Sequence, residues 1–480
     1  MCPGGVAPAR RDWGDRIPQE TTVERLTPLA DAFLSAEDAD PAASLAIGSL
    51  AVFDGPAPTY AELVALIEHR LPLVPRHRQR VRPVLLDLAP PAWVEDEDFD
   101  VRRHVLRAAL PTPGGHREIA DLVATLMASR MDRSHPLWEC WLVEGMPDIQ
   151  WAVLSRIHHC VADGVSGTDL YRLFLDLTPT ATPVIPDRAP PPAAESILSF
   201  TVGGLRELAA SPSHLIGALG RLARTPLRSA AVAARTTRGL LDLGGAIVPV
   251  HPTSLVGPTG ADRRFTWVEV HMSDVAAVRR ECGASVNDVA LAAIAGGFRR
   301  LLIGRGEVPD ARAVRSLVPV STRAPGQEST TDNQVSLMLP YLPVEEPDAR
   351  QRVLEVHRRL RTLRRHHEPE AGSGITSTAA LSPFPLVSWT MRSALRIPQH
   401  QVTTVTTNVP GPPVPLYCLG RPLRSLVPYV PIADDVRIGV AMLSYGDALT
   451  YGVTGDHESV PDLQVLADGI AESWSDLAAR

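Results

Sequence analysis

The chain has 480 residues, which exceeds the usual size of one folded domain and predicts two. Apolar residues make up 45% and charged residues 21% of it, as in ordinary globular proteins. The formal charge of −7, with no basic, aromatic-rich tract, argues against nucleic acid as a partner. All 47 basic residues are arginine, which excludes a P-loop lysine, a Schiff-base enzyme and a lysine general base.

The cysteines and the apolar runs of the sequence indicate in which cellular compartment the protein is expected. Five cysteines, never spaced as CxxC, predict a reducing compartment without a disulfide framework or a zinc site. Residues 1–11 have no apolar core of a signal peptide, and no run of about 18 apolar residues predicts a membrane span. We therefore expect a cytoplasmic protein, and peripheral attachment to the inner membrane surface stays open.

The first part of the chain predicts alternating strands and helices. Residues 1–20 are expected to form a flexible tail. A strand is predicted at 44–53, and apolar residues at a spacing near 3.6 predict a helix from Tyr60 onward. Trp138 and Trp141 are interpreted first as packing residues beneath the strand that follows them.

An apolar run at 151–154 leads into two adjacent histidines, a carboxylate and a glycine, namely His158, His159, Asp163 and Gly164. Histidine can take and return a proton near neutral pH, and a strand that ends in a tight turn would hold it rigidly. Because neighbouring residues of a strand point to opposite faces, only one of the two imidazoles can face a substrate.

The residues after the histidine pair predict a helix. Ser166 and Asp169 have the spacing of a capping box. The apolar face of the predicted helix consists of Leu170, Leu173, Phe174 and Leu177. We expect the positive end of this helix to lie next to His159, where negative charge would develop.

A proline-dense linker begins at residue 179 and leads into a small-residue segment at 196–250. Between 206 and 238 it carries six arginines and the single acid Glu207. This pattern fits a membrane-surface contact as well as a helical crossover between domains, and both interpretations stay open.

The second half again predicts strands and helices. A strand is expected at 265–271, and Ser285 with Asp288 predicts the start of a helix that ends near Gly304. Asn287 and Asp288 are interpreted as capping rather than catalytic residues. Further strands are predicted at 314–321 and 333–342, then a charged helix at 351–368, and finally a strand that ends in the proline-rich loop around Asn408.

Several of these segments resemble known sequence blocks. Residues 158–164 match the HHxxxDG signature of the CoA-dependent acyltransferase superfamily. The PLW block at 136–138, the VND block at 286–288 and the NVPGPP block at 408–413 resemble the bacterial wax ester synthase/diacylglycerol acyltransferase family in the same order. The resemblance covers roughly residues 24–475.

The resemblance implies an α/β protein of two-domain, chloramphenicol-acetyltransferase-like fold, with mixed sheets, flanking helices and a tunnel between the domains. The corresponding division is a tail at 1–20, an N-terminal acyltransferase domain at 21–178, a linker and basic helical crossover at 179–262 and a C-terminal acyltransferase domain at 263–480.

The resemblance also implies the chemistry. His159 would be the general base, supported by His158, Asp163 and Gly164, with Asp163 expected to pair with an arginine. Candidate substrate-binding residues are Trp138, Ser166 and Asn408. The partners would be acyl-CoA and a lipid alcohol, without a further cofactor or a metal, and with peripheral membrane or lipid-droplet contact left open.

The predicted reaction moves a long-chain acyl group to diacylglycerol, a fatty alcohol or both, without an acyl-enzyme. There are two alternatives for the histidine region and two for the function of the whole chain. A metal site is disfavoured because adjacent histidines cannot easily face one ion, and Cys160 as nucleophile has no matching role in the family. The chain could instead act on a polyketide or peptidyl acceptor, or bind lipid without turnover.

Overall fold

The computed structural model describes residues 24–84, 90–162, 169–180, 253–321, 335–367 and 402–479. The predicted N-terminal tail and nearly all of the predicted crossover at 179–262 lie outside these ranges. The boundaries of the predicted domains therefore stay a prediction.

The described chain contains both helices and strands. The helices are α1 (Pro28–Ala39), α2 (Tyr60–Arg70), α3 (His116–Ala128), α4 (His159–Ala162), α5 (Met272–Cys282), α6 (Val286–Gly304), α7 (Ala349–His367) and α8 (Leu463–Ala478). The strands are β1 (Ala46–Asp54), β2 (Gln79–Arg82), β3 (Ala92–Glu95), β4 (Val105–Ala109), β5 (Trp138–Glu144), β6 (Gln150–His158), β7 (Arg263–His271), β8 (Ser316–Ser321), β9 (Val335–Met338), β10 (Thr404–Val409), β11 (Tyr417–Cys418), β12 (Arg421–Tyr429), β13 (Ile438–Tyr445) and β14 (Ala448–Asp456).

Two six-stranded sheets organise the molecule. The first has the order β11-β12-β1-β6-β5-β4 and the second the order β7-β14-β13-β10-β8-β9. Both sheets are mixed, because β4 pairs with β5 and β10 with β13 and β8 in parallel while the other neighbours are antiparallel. This is the mixed α/β class that the sequence predicts.

The first sheet takes strands from both ends of the chain. The antiparallel partner of β1 on one side is β6, and on the other side it is β12, with Gly48 opposite Tyr429. The two sheets meet closely at Gly452, where an added Cβ would lie 1.8 Å from the backbone oxygen of Pro428. Arg263, which is buried, donates across the same junction to the backbone oxygen of Ala42 at 2.9 Å.

Local signals start the helices as the sequence predicts. Thr59 and Glu62 form a capping box at the start of α2, and Ser285 and Asp288 form one at the start of α6. Helix α6 is buried almost all round and packs against α8, as expected of a helix with apolar residues on every face. The capping interpretation of Asp288 is thus confirmed.

The helix predicted after Ser166 is wrong in its extent. The described part is a short 3-10 helix, Asp169–Leu173, and Leu177 is 74% exposed instead of lying on an apolar face. The reason is a tertiary pairing: the backbone of Asp176 exchanges two hydrogen bonds with Tyr417 of β11, at 2.7 and 2.9 Å. A residue engaged in a β-bridge cannot continue a helix, and a 3-10 segment of five residues has too few aligned peptides to place a substantial helix dipole next to His159.

Candidate active site

The histidine pair lies at the C-terminal end of β6, where the hydrogen bonds of the strand end. The N–H of His158 donates to Leu137 O, and the N–H of His159 donates to Leu45 O, both at 3.0 Å. The strand ends at His158, and His159 begins the one-turn helix α4. The main chain of both histidines is therefore held by the neighbouring segments, as a rigid catalytic base requires. Asp163, Gly164 and Ser166 lie outside the described residues.

His158 is buried and points toward α1. Its Nδ1 accepts the backbone N–H of Cys160 at 3.2 Å, and its Nε2 lies 3.5 Å from Oε2 of Glu37. A neutral imidazole that accepts at Nδ1 carries its proton on Nε2. The side chain thus faces away from solvent, in keeping with a supporting role.

His159 is mostly buried but keeps some accessible surface. Its ring stacks on Phe33 with the two centroids 3.9 Å apart. Burial lowers the pKa of His159 to about 4 because it penalises the charged ring; contact with the residue's own backbone opposes this, and His158 adds to it. Nδ1 is buried without a hydrogen bond of ordinary geometry. The imidazole is therefore neutral at pH 7 and able to accept a proton.

Helix α1 thus contacts both histidines. Phe33 and Glu37 are one helical turn apart, and they touch His159 and His158 respectively. The carboxylate of Glu37 is 2% exposed and also accepts from the guanidinium of Arg133 at 2.7 Å. Burial alone would raise the pKa of Glu37, but contacts with His158, Arg133 and the N–H of Leu45 lower it to about 2.

A second buried charged side chain stabilises β6 through contacts with β5 and with the end of α3. Arg156 lies opposite Glu139 of β5, and its Nη2 is 2.9 Å from Oε2 of that residue. The same guanidinium donates to the backbone oxygens of Leu126 and Ser129 at the end of α3. These carbonyls have no partner within the helix, so Arg156 ties α3 to the strand that carries the histidines.

Trp138 begins β5 and is buried, with 1% of its surface exposed. Its indole N–H donates to the backbone oxygen of His77 at 2.7 Å, and its ring stacks on His104. It lies opposite Ile157 in the sheet, one residue before the histidine pair. The packing interpretation is confirmed, and a role in substrate binding stays a prediction.

Asn408 lies at the end of β10, in the NVPGPP block. Its side-chain amide donates to Oδ1 of Asn287 at 3.3 Å, which connects this block to the start of α6. The glycine of the block has a steric cause: a Cβ on Gly411 would lie 1.7 Å from the backbone oxygen of Ser444. The structure therefore brings two of the predicted blocks together, although it gives Asn408 no direct contact with His159.

Sequence reasoning missed four residues that hold the site, namely Phe33, Glu37, Glu139 and Arg156. The i, i+4 spacing of Phe33 and Glu37 marks one face of α1, but nothing in the sequence says which segment that face contacts. Arg156 is adjacent to the signature and could have been suspected of pairing, since a charged residue inside an apolar strand needs a partner.

Comparison with known proteins supports one family. A model of the wax ester synthase/diacylglycerol acyltransferase catalytic domain matches residues 26–290, and the WS/DGAT C-terminal domain model matches residues 331–478. The chain is 40% identical over 457 residues to a Mycobacterium tuberculosis protein named probable diacyglycerol O-acyltransferase tgs1, covering 95% of this chain and 96% of that one.

Solved structures show the same fold. The wax ester synthase/diacylglycerol acyltransferase from Marinobacter aquaeolei VT8 aligns with a TM-score of 0.67 and 24% identity, over 95% of this chain and 98% of that chain. The first condensation domain of the calcium-dependent antibiotic synthetase aligns with a TM-score of 0.58 and 15% identity, over 96% and 97%. With both family models matched in order, the chain belongs to the wax ester synthase/diacylglycerol acyltransferase family.

Proposed function

We propose that this protein transfers a long-chain acyl group from acyl-CoA to the hydroxyl of a lipid alcohol. The hydroxyl oxygen attacks the thioester carbon, the C–S bond breaks, and the products are an ester and free CoA. The observation that carries the proposal is the state of His159, which is neutral, fixed in position by β6 and still accessible.

In this mechanism His159 takes the proton of the acceptor hydroxyl as the C–O bond forms and returns it to the sulfur of the leaving CoA. With the proton of the neutral ring on Nδ1, toward the residue's own backbone, the lone pair of Nε2 is free to act as the base. A positioned base contributes roughly 10²–10⁴-fold to the rate. His158 supports the ring from the interior, and Asp163 and Gly164 are proposed as further supporting residues.

Direct transfer without an acyl-enzyme is favoured by the burial of the thiol that follows the base in the chain. Cys160 is 1% exposed, so an acyl chain could not reach its sulfur without opening the core. Ser166 and Asn408 are proposed to line the path of the substrates between the two halves of the chain, and Trp138, which is 1% exposed, is proposed to support that path from within the core.

The acceptor is proposed to be diacylglycerol, with a fatty alcohol as the second candidate. The protein from Mycobacterium tuberculosis, at 40% identity, is named for the first reaction. Burial of each methylene contributes about 0.8 kcal/mol, so an apolar passage would supply affinity for an acyl chain without specific polar contacts. Acyl-CoA is the only small molecule that this chemistry needs besides the acceptor.

We propose that the protein works at a membrane or lipid-droplet surface, since both the acceptor and the product partition into lipid. Among the described residues no helix is long and apolar enough to cross a bilayer. Attachment from the cytoplasmic side would therefore be peripheral, and the basic segment at 206–238 is the proposed contact.

The test is an acceptor panel with the full-length chain. Release of free CoA from palmitoyl-CoA is measured with diacylglycerol, with hexadecanol and without acceptor, and the lipid product is identified by mass spectrometry. Acceptor-dependent release of CoA with formation of triacylglycerol supports the proposal. Release only with a peptidyl or polyketide thioester acceptor, or bound lipid without any release, would overturn it in favour of one of the two alternative functions.

The same panel includes His159→Ala and His159→Gln. Both substitutions should abolish acceptor-dependent release while thermal unfolding stays close to that of the parent protein. Retained turnover in either variant would refute the role of His159 as the base.

A further inference from the structure

The carboxylate of Glu37 contacts His158 and two other groups that hold the histidine pair in place. Oε1 accepts the backbone N–H of Leu45 at 3.0 Å, and Oε2 accepts from Arg133 Nη2 at 2.7 Å. Nε2 of His158 lies 3.5 Å from the same Oε2, and both side chains are 2% exposed. A buried carboxylate with this many donors is ionised and held in one orientation.

The contacts of His158 favour one tautomer of its neutral ring. The N–H of Cys160 donates to Nδ1, which favours placement of the proton of the neutral ring on Nε2. The Nε2–H group lies 3.5 Å from Oε2 of Glu37 without a hydrogen bond of ordinary geometry, so the attraction between the two groups is electrostatic. If the proton moved to Nδ1, two N–H groups would face each other at Cys160 and the Nε2 lone pair would face Glu37.

The main chain of Leu45 extends the same support to His159. Its N–H is bound by Glu37, and its carbonyl oxygen accepts the N–H of His159 at 3.0 Å. Glu37 therefore affects the position of the peptide that starts α4 by two routes. One route runs through Leu45, and the other runs through His158 and Cys160.

We propose that Glu37 is a positioning residue for the acyl transfer: its carboxylate selects the Nε2–H tautomer of His158 and fixes Leu45, and so holds His159 in its reactive placement. The inference rests on the proposed function only where it assigns the reaction to His159. The tautomer of His158 is a property of the folded chain and can be measured without any substrate.

Glu37→Gln is the sharpest variant because it keeps the shape of the side chain and removes the charge. Its amide oxygen can still accept the N–H of Leu45, but its NH₂ group then faces two donors, Arg133 and the Nε2–H of His158. We expect the His158 tautomer to lose its preference. The matched control is Asp38→Asn, since Asp38 is the next residue of α1 and binds the same arginine at 2.8 Å, yet its side chain is 63% exposed.

The experiment uses the full chain with ¹⁵N-labelled histidine side chains. The His158 resonances are assigned by their loss in His158→Gln, and kcat, KM for palmitoyl-CoA and thermal unfolding are measured in parallel. We expect Nε2–H in the parent protein and in Asp38→Asn, and a mixed or shifted state in Glu37→Gln. Partners of metal-bound histidines contribute about 10–100-fold to activity, and we expect a comparable fall in kcat here, with KM changed less than about twofold.

Two results would overturn the proposal. One is a His158 ring that is protonated on Nδ1 in the parent protein, which requires no variant and therefore decides the matter even if Glu37→Gln fails to fold. The other is a Glu37→Gln protein with lower thermal stability but unchanged kcat and tautomer, which would make the residue purely structural. Absence of acyl transfer in the parent protein would refute the proposed function, while the tautomer measurement would still decide this inference.

Discussion

The ring of Phe33 lies against the imidazole of His159, with the centroids 3.9 Å apart and the planes inclined by 23°. Phe33 belongs to α1, and His159 is the first residue of α4. The base therefore lies between the end of β6 and a helix from the start of the chain. A stacked ring restricts rotation of the imidazole and also excludes water from one of its faces.

Phe33→Leu should therefore reduce kcat. Aromatic stacking contributes roughly 0.5–1.5 kcal/mol beyond the area that it buries, which corresponds to about a 2- to 13-fold loss of rate. Phe33→Tyr should keep most of the activity, because the ring is retained. The control on the same helix is Leu29→Ala, since Leu29 is 53% exposed. Equal rates for the Leu and Tyr variants would contradict the stacking argument.

The pH dependence of the reaction should reflect the lowered pKa of His159. The base is active when neutral, and with a pKa of about 4 it stays neutral down to a pH well below the ordinary histidine value of roughly 6.5. We expect kcat/KM to fall only as the pH drops through about 4. Initial rates after brief exposure to acid, with recovery checked at neutral pH, measure this; a midpoint near the ordinary value would contradict it.

His77 should make the fold sensitive to acid in a defined window. It is fully buried, and burial lowers its pKa to about 4. The unfolded chain binds a proton more readily, so the contribution of His77 to stability is complete above about pH 6.5 and is lost as the pH falls toward 4. His77→Phe should reduce the difference in free energy of unfolding between neutral pH and about pH 4.5 by roughly 2 kcal/mol.

Urea unfolding at the two pH values measures this difference. His271→Asn is the control because the side chain of His271 is 77% exposed, and it should leave the pH dependence unchanged. An identical acid sensitivity of His77→Phe and the parent protein would show that His77 does not titrate on unfolding.

The ion pair of Arg156 and Glu139 should contribute more to the free energy of unfolding than an exposed pair of the same length. Removal of one partner of a buried pair typically costs about 3–5 kcal/mol, and Arg156 also satisfies the end of α3, so Arg156→Leu should cost at least the lower value. The matched control is Arg107→Leu, since Arg107 forms a pair of the same 2.9 Å length with Glu144, but its side chain is 58% exposed. That variant should lose less than about 1 kcal/mol in urea unfolding. Similar losses for both would contradict the role of burial.

The glycine of the NVPGPP block should not tolerate a methyl group. In Gly411→Ala the new Cβ would overlap the backbone oxygen of Ser444, so the loop must move, at a cost of about 1–3 kcal/mol. Gly304→Ala is the control, because its Cβ would meet only a Val465 methyl group at 4.0 Å, and it should be neutral or slightly stabilising. Thermal unfolding compares the two; an unshifted midpoint for Gly411→Ala would contradict the close approach.

Much of this protein was determined locally, by its sequence. The apolar run of β1, the helical spacing of apolar residues in α2 and the capping residues of α6 predict those elements because each depends on neighbouring side chains. The histidine pair at the end of an apolar strand, together with the family blocks in order, indicated the chemistry and the α/β class. The roles of Asp163 and Gly164 in the signature, and of Ser166 in substrate binding, remain predictions.

What only the tertiary structure decided depends on contacts between distant segments. The helix expected around Leu177 is cut short because Asp176 pairs with Tyr417, more than half of the chain away. Glu37 contacts His158 and Phe33 contacts His159 across more than a hundred residues of sequence, and periodicity gives only the face of a helix, never the segment it meets. Burial then lowers the pKa of His159, because low polarity around a group arises only when the chain has folded over it. Glu37 stays ionised in spite of its burial, because folding brings His158, Arg133 and the N–H of Leu45 to its carboxylate.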